Sequence, residues 1–437
     1  MEIKNKVYWG NDIVNFIKVA VIGAGSRGRH AYGNYVLNNQ DKIRYVAVIE
    51  PDINKRMELA KEHNIKLEMC FENEDDFFKL GKICDAIIIA HQDKQHYNTT
   101  IKALNLGYDV LLEKPMTPDP FECLSLEECA RKNGVNLMVC HVLRYTEFYE
   151  KIKELVDNKV IGEIIGFDHK ENIGHYHMAH SFVRGNWRNS NETSPLVLAK
   201  TCHDMDILTW LINDECTAIY SSGDLNYFKK ENAPKESATK CLECSLNEEC
   251  IFSAKRIYLD NCRNVWPINT LCANPNYENI KEILDKSNYG TCVWKVSDND
   301  VCDNQVAVIE FKSGVRGTFT VTAFTHNQFR ETMLFGTKGS IYANTRDNEI
   351  IVRKHGIDEY EEANILVIKP KRVVGGHGGG DVGLMEDFIN VVNGSCKTPR
   401  TSVEQSIQSN FMSYACEKSR IEKRRIEIET FKKEIKK

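Results

Sequence analysis

The chain has 437 residues, a net charge of −5 and 42% hydrophobic residues, enough for two domains with sizeable cores. Mixed charges and a slightly acidic balance exclude a nucleic-acid surface, and no apolar run approaches the ~20 residues that span a bilayer. Residues 1–17 carry charges throughout and lack the apolar stretch of a signal peptide, so a cytoplasmic protein with mostly reduced thiols among its 16 cysteines is expected.

The first element is a buried-strand run, Val19-Ala-Val-Ile22, leading directly into Gly23-x-Gly25-x-x-Gly28. In a dinucleotide fingerprint the first glycine makes the turn off the strand and the second lets backbone approach a pyrophosphate. The third allows close helix–sheet packing. The helix that follows opens at Ser26 and Arg27 and presents free N–H groups to phosphate; Arg27 could meet a phosphate or stack on adenine. A second run, Tyr45-Val-Ala-Val-Ile49, ends at Glu50, 22 residues beyond Gly28. A Rossmann unit places its ribose-binding acid about there (~20 residues on), and a carboxylate repels a 2′-phosphate, which favours NAD over NADP.

Strand and helix signals keep alternating: a helix over 53–63, a strand at Cys84–Ala90, a helix over 96–106 stopping at Gly107. A strand at Val110–Leu112 precedes Glu113-Lys114-Pro115, and a helix over 118–133 ends at Gly134 before a strand at 135–140. This alternation predicts a doubly wound parallel sheet. Lys114 follows a strand at the carboxyl edge, where ligands bind in such folds. A lysine there can sit beside the nicotinamide and hydrogen-bond the reacting hydroxyl, with Glu113 orienting it and Pro115, on a cis or trans bond, fixing the loop. The plainer alternative is a surface lysine after a strand.

Beyond residue 145 the pattern changes. A helix over 147–158 leads to an alternating strand at 163–170, and a helix covers 203–212. Runs at 305–311, 317–323 and 339–342 predict an antiparallel sheet with one exposed face, and helices over 383–393 and 402–420 close the chain. The expected boundaries are a Rossmann domain over 1–140 and an α/β domain over 141–437, with a cysteine-bearing insertion at about 225–300.

His203 opens the second domain's first strong helix. Hydride removal from an alcohol also requires loss of the hydroxyl proton, and an imidazole titrating near neutrality suits that exchange. Asp206, one turn on, is expected to orient or support it. The stretch from His175 through His177, His180, Arg184 and Trp187 to Arg188 supplies donors for hydroxyls and a ring to stack on a pyranose, or else forms a polar loop. His377-Gly-Gly-Gly-Asp381 reads as a polar loop that could close over substrate. In the insertion, Cys241-x2-Cys244-x5-Cys250 with Cys262 has the look of a structural zinc site; free thiols or a disulfide are the alternatives.

Taken together, the glycine fingerprint, Asp85-Ala-Ile-Ile-Ile-Ala90, His96, the Gly107–Met116 stretch with its Glu-Lys-Pro, and His203-Asp-x-Asp206 resemble the glucose–fructose oxidoreductase / inositol dehydrogenase / MocA family. The resemblance implies an N-terminal Rossmann domain and a C-terminal α/β domain whose open sheet often forms the interface of a homodimer or homotetramer. It also implies that Lys114 and His203 are the catalytic lysine and histidine. His91 and His96 would lie by the cofactor, and His141 and Lys200 by the substrate. One departure stands out. Many members carry aspartate four residues before that histidine, where this chain has Ala199, followed by Lys200. The leading expectation is NAD-dependent oxidation or reduction of a sugar, glycoside or cyclitol. NAD-assisted glycoside cleavage through transient oxidation and elimination is the second, and a non-catalytic nucleotide-sensing regulator the third.

Overall fold

The computed structural model describes residues 8–9, 12–13, 16–272, 274–357, 364–372 and 376–436. Two compact units emerge, one formed by residues 1–150 with 371–410 and the other by 151–370 with 411–437.

The first unit opens on a two-stranded ribbon, β1 (Tyr8–Trp9) with β2 (Asp12–Ile13). Its main sheet has six parallel strands: β3 (Ile17–Ile22), β4 (Ile43–Ile49), β5 (Cys70–Phe71), β6 (Ala86–Ile89), β7 (Asp109–Leu112) and β8 (Leu137–Val139). They lie in the order β5-β4-β3-β6-β7-β8. Val19, Ala20 and Val21 in β3 and Ile87, Ile88 and Ile89 in β6 have no exposed surface, as unbroken apolar runs covered on both faces should. The chain winds outward from β3 to β5, then returns to lay β6 on the other side of β3. The strand order reverses there, and a crevice opens at the carboxyl ends of those two strands.

The fingerprint glycines are fixed by close approach. Gly23 has φ +97°, and a Cβ on it would lie 2.7 Å from the Ala90 carbonyl carbon. A Cβ on Gly28 would meet the Gly23 carbonyl oxygen at 2.0 Å, and Tyr45 donates its hydroxyl to the Gly28 carbonyl at 3.0 Å. The helix that follows is wound in wide π-type turns over Ser26–Gly33 before tightening at Asn34–Asn38. Asp52 caps the helix Ile53–Glu62, and Asp119 caps Pro120–Asn133, which ends on left-handed Gly134. The short strand β5 and the helix Glu74–Phe78 have too few residues for a periodic signal and went unread in the sequence.

The two units do not follow the expected 140/141 boundary, because residues 371–410 pack with the first. Glycines explain this return. A Cβ on Gly380 would stand 2.2 Å from the Val142 carbonyl oxygen, and one on Gly383 would stand 2.8 Å from Tyr145 Cβ. The helix Gly380–Val392 therefore lies flat on this segment. Leu384, Met385 and Phe388 enter the same core as Val21, Ile88 and Met138.

The second unit is built on nine strands: β9 (Ile164–Asn172), β10 (Cys216–Asp224), β11 (Asn304–Phe311), β12 (Arg316–Thr322), β13 (Phe329–Gly336), β14 (Gly339–Asn344), β15 (Glu349–Lys354), β16 (Ile365–Ile368) and β17 (Ile426–Glu427). Their order is β16-β15-β14-β13-β9-β12-β11-β10-β17, antiparallel except where β9 meets β12. One face is buried, with Ile219 opposite Ile309; the other sets Tyr220 opposite Val308, 45% and 42% exposed. The 225–300 stretch, which has little periodicity, carries a helix at Tyr277–Lys286 with a capping box at Asn276. It also has a core of its own around Tyr258, Ile280 and Leu284.

Gly28→Ala is expected to force the π-type helix off the sheet, at a cost of about 1–3 kcal/mol, and to weaken dinucleotide binding. Thermal unfolding and NAD titration check this, and an unchanged melting temperature with unchanged affinity would contradict it.

Candidate active site

In the first unit a crevice of about 540 Å³ lies at the reversal point, lined by Gly23, Gly25, Glu50, Asn73, His91 and Gln92 among others. A Cβ on Gly25 would meet nothing within 4 Å, so its backbone borders open space that a ligand can approach. Glu50 turns one oxygen to the Ala24 N–H at 2.8 Å and the other to the Asp52 N–H at 3.0 Å. Its carboxylate is thus fixed against the fingerprint loop. Ser26 is exposed at the first position of the following helix. This combination fits a dinucleotide: a bare backbone cradle for phosphates and an anchored acid for ribose hydroxyls.

Lys114 follows β7 on a cis Lys114–Pro115 bond. Around it the loop is clamped. Glu113, buried, accepts from the Lys114 N–H at 3.0 Å and from Arg27 Nε at 2.5 Å, and Tyr32 donates its hydroxyl to the same carboxylate. Arg27 places its Nη2 on Tyr32 Oη at 2.7 Å and on Asp381 at 2.7 Å. Burial alone would push Glu113 up; Arg27 and Lys114 outweigh it and hold the carboxyl below its ordinary range. Asp381 is likewise held low, with His377 and Arg27 overcoming its burial.

Arg27, expected at a phosphate or adenine, therefore directs its nitrogens into this cluster. His377, expected over substrate, stands 3.3 Å from Asp381 on an exposed turn. His96 is fully buried, with Nδ1 at 2.8 Å from the Pro115 carbonyl and Nε2 at 3.2 Å from that of His91, so it ties the loops after β6 and β7 together. His91 lies against it, its rings 5.4 Å apart, and burial lowers its pKa to about 3, leaving it neutral. His141 is buried directly after β8.

In the second unit the helix Cys202–Ile212 carries His203, Asp204 and Asp206, all buried. Asp204 accepts from Arg330 Nε at 2.6 Å and lies 3.0 Å from His169 Nε2. Glu171 sits 2.9 Å from Arg330 Nε and 3.3 Å from Lys200 Nζ. Lys200, expected at substrate, thus pairs with a buried carboxylate contributed by β9. Burial pushes Glu171 up even against Arg330 and Lys200, whereas Arg330 and His169 overcome burial and hold Asp204 low.

The histidine-rich stretch divides. His180 is buried between Tyr258 Oη at 2.9 Å and Thr270 Oγ1 at 3.1 Å, stacks on Tyr289, and is pushed down to about 4 by burial. Arg184 is buried on the Thr291 and Phe252 carbonyls at 2.7 and 2.6 Å. Arg188 pairs with Asp298 at 2.7 Å, and the half-buried Trp187 leans on Phe182. His180, Arg184 and Arg188 thus hold the insertion, while Trp187 packs within its own stretch. His175 and His177 remain half-exposed beside Phe252 and Trp266. Of the proposed zinc ligands, Cys241, Cys244 and Cys250 line one cavity, while Cys262 is not part of that lining and packs against the insertion's buried core. Among the described residues, no three His, Cys, Asp or Glu side chains are disposed to hold a metal ion.

Glu171, Arg330 and Tyr32 were not singled out in the sequence, and Asp381 was named only as the end of the His377 loop. Glu171 was signalled: along β9 the inward positions are Phe167, His169 and Glu171, and polar residues on a core-facing row need partners.

Residues 17–141 match the NAD-binding Rossmann fold of the GFO_IDH_MocA oxidoreductase family, and residues 153–428 match that family's C-terminal alpha/beta domain. YteT of Bacillus subtilis, named as an oxidoreductase, is 25% identical over 339 residues, 72% of this chain and 75% of YteT. An inositol 2-dehydrogenase of Corynebacterium glutamicum is 26% identical over 210 residues, 46% of this chain and 56% of its own length. The chain therefore spans about half of that relative. Among solved structures, a levoglucosan dehydrogenase in complex with NADH and L-sorbose superposes with a TM-score of 0.70 at 15% identity, covering 94% of this chain and 98% of that one. The WlbA dehydrogenase of Bordetella pertussis, in complex with NADH and UDP-GlcNAcA, gives 0.64 at 16% identity over 94% and 97%. At these identities the likeness is one of fold.

Arg330→Met leaves Asp204 and Glu171 buried without their shared cation. The expected loss is about 3–5 kcal/mol of stability, read by denaturant unfolding; a loss below about 1 kcal/mol would contradict the pairing. Asp204, held below its ordinary 3.8, adds stability that is complete above that value and is lost as pH falls through its folded pKa.

Proposed function

The chain belongs to the Gfo/Idh/MocA oxidoreductase family, and we propose that within it this protein oxidises or reduces a carbinol of a sugar, glycoside or cyclitol with NAD. The observation that carries the reading is the clamped Glu113-Lys114-Pro115 loop beside a crevice with an anchored Glu50. NAD, when bound, supplies the hydride acceptor. Lys114 hydrogen-bonds the reacting hydroxyl and lowers its pKa, and His203 exchanges its proton. Ala199 stands where many family members carry aspartate, and the pairing of the adjacent Lys200 with Glu171 supports a positional role for that lysine.

Relatives include an inositol 2-dehydrogenase and, in Escherichia coli, a D-glucoside 3-dehydrogenase 26% identical over 148 residues, which support a polyhydroxylated substrate. A relative named 2,7-anhydro-N-acetylneuraminate hydratase, 24% identical over 195 residues, keeps elimination chemistry as the second reading. The exposed row through Tyr220 and Val308 supports self-association through the open sheet, giving a homodimer or homotetramer. None of the sixteen cysteines forms a disulfide among the described residues, which supports a reducing, cytoplasmic setting.

The test is a panel of sugars, glycosides, inositols and sugar acids with NAD and NADP, read together for NADH and for products. Net NADH with an oxidised product is expected, with NAD preferred. Aglycone release without net NADH would select the elimination reading. With the substrate found, Lys114→Ala and His203→Ala should each lower kcat by about 100- to 10,000-fold while NAD still binds. Wild-type turnover in either variant would overturn its assigned role.

A further inference from the structure

Independently of that reading, we infer that Cys241, Cys244, Cys250 and Cys292 form a tetrathiolate site for a thiophilic metal ion, zinc or iron, in the 225–300 insertion. All four cysteines line one cavity of about 250 Å³, beside Arg184 and Trp294. They come from three stretches of chain: the Cys241–Cys244 turn, closed by the Cys244 N–H on the Cys241 carbonyl at 3.2 Å, the loop at Cys250, and the segment at Cys292.

Arg184 is the second observation. Its side chain is 1% exposed and touches each of those stretches: Nη2 lies 3.5 Å from Cys241 Sγ and donates to the Phe252 carbonyl at 2.6 Å, and Nε donates to the Thr291 carbonyl at 2.7 Å. Those partners are two neutral carbonyls and a sulfur, and the nearby Tyr258 hydroxyl, its pKa pushed up by burial, is neutral as well. Nη1, also buried, has no acceptor among the described residues. A buried guanidinium requires an anion nearby. Thiolates supply it, and four of them around a divalent cation carry a net charge of −2, which Arg184 partly offsets. Metal binding then releases the thiol protons to solvent.

In this structure the thiols are not drawn to ligation distance. A cysteine re-aims its sulfur by turning about χ1 without moving the backbone, so one shared cavity is the relevant geometry. The ligand pattern is Cys-x2-Cys with two further cysteines, and the fourth is Cys292 in place of Cys262. The insertion gains a cross-link that its small core around Tyr258, Ile280 and Leu284 needs.

The test uses the full chain purified without chelator, with elemental analysis for zinc and iron, a visible spectrum to separate the two, and mercurial titration to release bound metal. About one metal site per chain is expected, lost by at least ten-fold in Cys292→Ser and Cys244→Ser and retained in Cys262→Ser. The wild-type titration stands even if a variant misfolds: four thiols should become reactive as the metal is released. Trace metal only, after reconstitution with zinc or with iron under anaerobic conditions, would overturn the proposal. So would loss of metal in Cys262→Ser with retention in Cys292→Ser.

Discussion

The first unit depends on one half-buried guanidinium. Arg27 sits in the fingerprint loop, yet its nitrogens reach Glu113 after β7 and Asp381 on the returning segment, with Tyr32 completing the cluster. Three stretches far apart in sequence are locked by charge-assisted hydrogen bonds, which are stronger than neutral ones and directional at a planar donor. A positional consequence follows for Lys114. Its own N–H is held by the Glu113 carboxylate, so the lysine's backbone is fixed by the same cluster that shapes the phosphate-binding turn.

The second unit solves a similar problem with less symmetry. Arg330 faces two buried carboxylates, and their pKa values move in opposite directions: Asp204, served by Arg330 and His169, is held low, while burial pushes Glu171 up. Glu171 depends on what remains of Arg330 and on Lys200. The lysine beside Ala199, the position where the family's usual aspartate is missing, therefore comes with an acid of its own on β9. A single substitution at Lys200 removes one of the two cations that face the buried Glu171 carboxylate.

What could be read in the sequence was local. The glycine turn, Glu50 and the Glu-Lys-Pro loop are written in consecutive residues, with strands long enough to show their apolar runs. What could not be read depended on separation. Asp381 is 354 positions from Arg27, and no spacing rule connects them. The return of residues 371–410 rested on glycines whose function is absence of a side chain against Val142 and Tyr145. Arg184 and His180 looked like ligand donors because exposure cannot be read from residue type; both are buried against the insertion. Cys292, which lines the same cavity as Cys241, Cys244 and Cys250, lies too far along the chain for spacing to group it with them.

The most direct test of the positional claim is Glu113→Gln, which keeps shape and removes the charge that engages Arg27. The account predicts a kcat about 10- to 100-fold lower, a pH–rate profile whose basic limb moves, and an NAD dissociation constant within about twofold of wild type. Wild-type kcat and an unmoved profile, with the protein folded, would contradict it.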